Sequence, residues 1–81
     1  MVGLSTYRPG GRAEMDAGAQ EKIYVVLSGE IQVTLGTGEV TVLREHDSCR
    51  IGPGEHRAVL NATSADAKLL VIMPTAPPAA S

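Results

Sequence analysis

SCRIGPGEHRAVLN, residues Ser48 to Asn61, holds two strand-like runs on either side of one tight turn. Cys49 to Ile51 leads into Gly52-Pro53-Gly54, and Arg57 to Leu60 leads away. Glycine reaches positive φ and proline fixes φ near −65°, so the tripeptide turns the chain sharply. Arg57 follows just past that turn, at the mouth of whatever the strands enclose. Alternation sets Arg57, Val59 and Asn61 on one side, taken as the interior, and sends His56 to solvent or a subunit contact. Cys49 alternates with Ile51 towards the interior, as a small apolar group with no histidine in register to activate it.

Upstream, three more runs have strand character. Glu39 to Leu43 (EVTVL) follows a turn at Gly36-Thr37-Gly38. Glu30 to Leu35 (EIQVTL) alternates cleanly, with Ile31, Val33 and Leu35 inward. Glu21 to Leu27 (EKIYVVL) is rich in β-branched residues, and Ser28-Gly29 is expected to make a hairpin turn into the next strand. Its Lys22, Tyr24 and Val26 face points inward. Its Ile23, Val25 and Leu27 face is wholly apolar, so a second sheet or another subunit must cover it. Arg44 to Asp47 is a charged turn that keeps His46 at the surface.

Further out, Arg12 to Gln20 (RAEMDAGAQ) reads as a loop or a short extended segment, not a helix. Gly3 to Tyr7 reads as one more short strand, closed by Pro9-Gly10-Gly11. Asn61 to Asp66 is a loop, and Lys68 to Met73 (KLLVIM) completes a domain expected over residues 1–73. The Pro/Ala-rich tail, 74–81, is expected to be flexible and to bury nothing. About eight short strands at a spacing of roughly 8–12 residues, with no amphipathic helix, is the pattern of an antiparallel sandwich or small barrel.

Composition narrows the function classes. The chain has 81 residues, one domain at most, near the size at which a single core is marginal. It has no Phe or Trp, and ten of its apolar residues are alanine, so the core rests on Val, Leu, Ile, Met and two tyrosines. A single cysteine excludes a disulfide framework or a thiolate zinc cluster and fits a reducing compartment. A net charge of −2 argues against a nucleic-acid partner, which calls for a basic stripe with stacking aromatics. No apolar run approaches the roughly 20 residues that span a bilayer, and the start lacks the apolar centre of a signal peptide. No membrane partner is expected, and a cytoplasmic location is.

Two spaced motifs in this chain resemble those of the cupin superfamily, the small jelly-roll β-barrels. The second family motif, G-x5-P-x-G-x2-H-x3-N, lays Gly54 on its second glycine and Asn61 on its terminal asparagine. It sets His46 at the first glycine, Gly52 at the proline and Arg57 at the histidine. The first motif, G-x5-H-x-H-x3–4-E-x6-G, runs from Gly10 to Gly29, with Asp16 and Gly18 at its histidines and Lys22 at its glutamate. The resemblance covers Arg8 to about Met73 and implies an all-β, cupin-like jelly-roll barrel. In metal-binding members three histidines and a glutamate hold one ion. Here the same positions read Asp16, Gly18, Lys22 and Arg57, which implies a metal-free member with no cofactor. With so little chain before the first motif, either the barrel is minimal or Met1 is not the natural start. In both cases an open edge is expected to be covered by a second copy, as a homodimer.

These residues define the candidate site. Lys22, Arg57 and Tyr24 are the candidate catalytic groups: Lys22 as acid/base or amine nucleophile, Tyr24 as donor to an oxyanion. Asp16, Lys22, Arg57 and Asn61 are the candidate ligand-binding groups, with Arg57 offering a planar fork and Lys22 a point charge. The expected partner is a small anionic or carbonyl-containing molecule, bound or converted by isomerase, cyclase or lyase chemistry. Three other readings stand beside it. Lys22 and Arg57 could form a structural ion-pair network with Asp16 or Glu14, the barrel could bind without catalysing, or His46, His56 and Asp16 could form a non-standard metal site.

Overall fold

A computed structural model describes residues 2–74. Eight strands follow in chain order: β1 (Val2–Tyr7), β2 (Arg12–Ala17), β3 (Lys22–Ser28), β4 (Ile31–Leu35), β5 (Val40–Leu43), β6 (Ser48–Ile51), β7 (His56–Leu60) and β8 (Ala67–Ile72). They form two antiparallel four-stranded sheets, ordered β1-β8-β3-β6 and β2-β7-β4-β5. No helix occurs among the described residues, so none is long and apolar enough to cross a membrane. The expected all-β jelly roll is the observed fold. The expected tail, apart from Pro74, lies outside the described residues.

The pairing has a simple order. β1 pairs with β8, β2 with β7, β3 with β6 and β4 with β5, as in one long antiparallel ribbon folded on itself. Contacts of β3 with β8 and of β4 with β7 then close the ribbon into two sheets. Between them lies the core: Tyr24, Val26, Ile31, Val33, Leu43, Ile51, Val59, Ala67 and Leu69 are buried. Every one sits at an inward position of its strand, so alternation places the core as expected.

One expectation needs correction. Ser28-Gly29 is not a hairpin turn, because β3 and β4 lie in different sheets. Gly29 turns a corner between the sheets at φ 81°, and a Cβ there would come within 2.7 Å of the Asp66 carbonyl oxygen. The Gly52-Pro53-Gly54 turn likewise carries the chain from one sheet to the other. Its form is that of a type II turn, with Glu55 N donating to Gly52 O at 3.1 Å and Gly54 at φ 74°.

The segment read as loop or extended is strand β2, and a β-bulge explains its missing alternation. Ala13 pairs with Val59 and Asp16 with Arg57, so β2 spends one residue more than β7 between those pairs. The extra residue reverses the inward parity, so that Ala13 and Asp16 both lie on the side of their inward-facing partners.

Candidate active site at the barrel mouth

Arg57 on β7 crosses the interior to the opposite sheet. Its Nε donates to the Tyr24 hydroxyl at 2.7 Å, and its Nη1 donates to the Glu14 carbonyl at 3.1 Å. The Glu14 carbonyl belongs to the bulge, where ladder pairing is interrupted and an acceptor is left for a side chain. Tyr24 is buried and Arg57 half-buried. Tyr7 completes the polar interior: burial pushes its hydroxyl pKa up, the neighbouring Tyr24 adds to this, and the Arg57 charge opposes it. Sequence reading passed over Tyr7, although its inward parity with Gly3 and Ser5 and the rarity of aromatics in this chain both mark it.

Lys22 stands at the first position of β3, half-buried, beside Gly18. A Cβ built on Gly18 would lie 2.8 Å from Lys22 Nζ, so the ammonium occupies the volume a side chain there would take. Asp16 pairs directly with Arg57 across the ladder but is exposed, and its Oδ1 accepts from its own neighbour, Ala17 N, at 2.8 Å. Segment 16–18 is thus flanked by both cations. Neither Lys22 nor Arg57 makes an ion pair among the described residues. The structural network with Asp16 or Glu14 is not formed, since Arg57 takes the Glu14 backbone oxygen rather than its carboxylate.

Asn61 is a correction. It is fully buried, and its side chain is used up internally. Nδ2 donates to the carbonyls of Tyr7 and Ala65, both at 2.8 Å, while Oδ1 accepts from Thr63 N at 3.0 Å and Thr63 Oγ1 at 2.7 Å. No donor or acceptor remains for a ligand. The Asn61 side chain ties the end of β1 to loop 61–66, and its backbone bonds Gly10 and Gly11 in the segment where the chain passes from β1 to β2.

The residues at the family's ligand positions do not fit a divalent ion. They offer one exposed carboxylate, no side chain at Gly18, and two cations that would repel the metal. The alternative set fares no better, because His46, His56 and Asp16 are all exposed and no three His, Cys, Asp or Glu side chains gather among the described residues.

An open cavity of about 440 Å³ lies beside the mouth, lined by Met15, Leu35, Gly36, Thr37, Glu55 and His56 among others. None of the five sequence-predicted site residues lines it, although Leu35, Asp16 and His56 flank Arg57 in the ladder or chain. The guanidinium reaches Tyr24 on the opposite sheet, and neither Arg57 nor Lys22 is among the residues that line this cavity. Glu55, also missed from sequence, lies close enough to Cys49 to help burial raise that thiol's pKa.

Comparison with known proteins adds a frame. The cupin-domain family matches residues 3–73. The chain is 50% identical over 70 residues to the Mycobacterium tuberculosis protein named beta-D-galactosidase Rv1717. That match takes in 86% of this chain and 60% of the relative, so the chain spans about three fifths of the relative's length. The Drosophila melanogaster CENP-C cupin domain is similar at 25% identity with a TM-score of 0.82, over 90% of this chain and 59% of that one. A cupin 2 conserved barrel protein from Salinispora arenicola shares the fold at 16% identity, TM-score 0.84, over 93% and 62%.

Proposed function

The chain belongs to the cupin superfamily, and from that premise we propose that its barrel mouth takes a small anionic or carbonyl-containing molecule without a metal. One observation carries this reading: Arg57 and Lys22 are half-buried cations that flank segment 16–18 and have no carboxylate partner among the described residues. Charges withdrawn from water are ordinarily paired, and a carboxylate or enolate on a ligand would supply the missing partner. Arg57 keeps guanidinium hydrogens beyond those given to Tyr24 and Glu14, so it can still present a fork. Tyr24 then acts as a positioning residue that fixes the guanidinium.

A second reading is favoured by the relative named a beta-D-galactosidase. Glycoside hydrolysis needs two carboxylates on either side of the scissile bond. In this chain Asp16, in register with Arg57, and Glu55, whose charge reaches Cys49, are the carboxylates such chemistry would use.

Calorimetric titration with a monocarboxylate, a sugar acid and neutral galactose separates the two. The anion reading expects the acids to bind and galactose not to. Arg57→Lys keeps the charge but loses the fork, and should weaken acid binding by about tenfold or more, as for loss of a charge-assisted hydrogen bond. No binding of any acid by the folded protein overturns the anion reading. Turnover of a chromogenic β-galactoside that Asp16→Asn abolishes would install the second in its place.

A further inference from the structure

Tyr24 is the one member of the buried hydrophobic core, among the described residues, whose side chain ends in a polar atom. It is 3% exposed, and its oxygen accepts from Arg57 Nε at 2.7 Å. No atom of the described residues accepts the proton of that hydroxyl. A phenol gives one hydrogen bond as well as taking one, and a buried donor left unmatched is costly. Native interiors ordinarily match such donors, so this proton calls for an acceptor from outside the chain.

The unmatched proton lies beside the unmatched charges. Arg57 gives Nε to Tyr24 and Nη1 to the Glu14 carbonyl, which spends two of the five N–H hydrogens a guanidinium carries. Lys22 precedes Tyr24 by two residues on β3 and shares its inward side. Asp16, the carboxylate in register with Arg57, is exposed and turned to its own Ala17 N. What Lys22, Arg57 and Tyr24 have left to offer is therefore all of one kind. An ammonium and a guanidinium only donate, and the phenol already accepts from Arg57.

We propose that the ligand is a 2-oxo acid, with its carboxylate on Arg57 and Lys22 and the carbonyl oxygen of the next carbon on the Tyr24 O–H. This rests on the anion reading above and narrows it, from an anion or a carbonyl compound to one molecule that carries both groups side by side. The 2.7 Å contact sets the phenol directly against the guanidinium, so oxygens on adjacent carbons reach both at once. A carbonyl oxygen only accepts, which suits a set of donors. A 2-hydroxy acid brings a proton of its own for which these three groups hold no free acceptor, and a plain acid leaves the Tyr24 proton unmatched. Sites built to hydrogen-bond a ligand group discriminate strongly against the analogue that lacks it.

Calorimetric titration with pyruvate, lactate and propionate, three acids of one chain length, tests this. Pyruvate should bind the folded protein at least about tenfold more tightly than either of the others, as for one buried donor left unpaired. In Tyr24→Phe, with circular dichroism unchanged, that preference should shrink to about threefold or less. Arg57→Lys should weaken all three acids and keep their order. If none of the three binds, the anion reading falls and this inference with it. Equal binding of all three by wild type leaves the anion reading standing and overturns the inference, as does lactate binding as tightly as pyruvate. A preference for pyruvate that survives in folded Tyr24→Phe overturns the assignment to Tyr24. The wild-type ratios need no variant, so they decide even where Tyr24→Phe fails to fold.

Discussion

Arg57 and Asn61 lie on the same face of one segment and have come to opposite ends. Both were legible as inward residues from alternation alone, because parity is a property of the backbone. What parity cannot tell is whether an inward polar group is satisfied. Asn61 makes four hydrogen bonds, one to the end of β1 and three within its own loop, and contacts of that kind depend on loop geometry that no local pattern encodes. Arg57 finds Tyr24, which parity did put on the facing side, and the Glu14 carbonyl, which it did not. The buried titrating groups make a prediction of their own. Burial lifts Tyr7 above its ordinary value near 10.0 and Cys49 above 9.0. Each therefore holds its proton more tightly folded than unfolded. Their contribution is complete below the unfolded values and is lost as pH rises through the folded ones. Thermal melts should hold steady up to about pH 9 and then fall, and Tyr7→Phe with Cys49→Ala should flatten that alkaline decline. An unchanged slope in the double variant would show that other groups govern it.

At the level of turns, the family glycine positions acquire a physical meaning. Asp47 N donates to Arg44 O at 2.9 Å, closing a turn in which His46 adopts φ 72°. The resemblance sets His46 on a motif glycine, and this backbone conformation is the reason glycine suits the place. A left-handed non-glycine residue costs roughly 1–2 kcal/mol, partly offset because glycine loses more entropy on folding, about 0.5–1 kcal/mol. His46→Gly should therefore raise Tm by a few degrees, read by calorimetry, and a lowered Tm would contradict this account. Strand existence was legible almost throughout, since β3, β4, β7 and β8 have apolar or alternating runs. β2 was not, because its bulge breaks the period on which such reading depends. The Ser28-Gly29 and Gly52–Gly54 turns look like hairpin punctuation, and only the three-dimensional path shows that they pass between sheets. Turn chemistry reports that the chain bends, not where it goes next.

For the whole molecule, the same distinction separates what the chain displays from what its folding adds. Composition and strand count pointed to a small barrel, yet the pairing order is written in no short segment. That order has a kinetic consequence. β1 finds its register only against β8, Val2 with Ile72 and Tyr7 with Ala67, at nearly the full length of the described chain. Only β4 and β5 are joined by a local connection, so nearly every ladder must close a long loop before it gains any hydrogen bond. Proteins dominated by distant pairings refold in milliseconds to seconds rather than microseconds. Stopped-flow refolding should show its main phase in that slow range, and completion within the dead time would refute it. During synthesis β1 must wait for β8, and until then its uncharged edges stand open to any other chain that meets them.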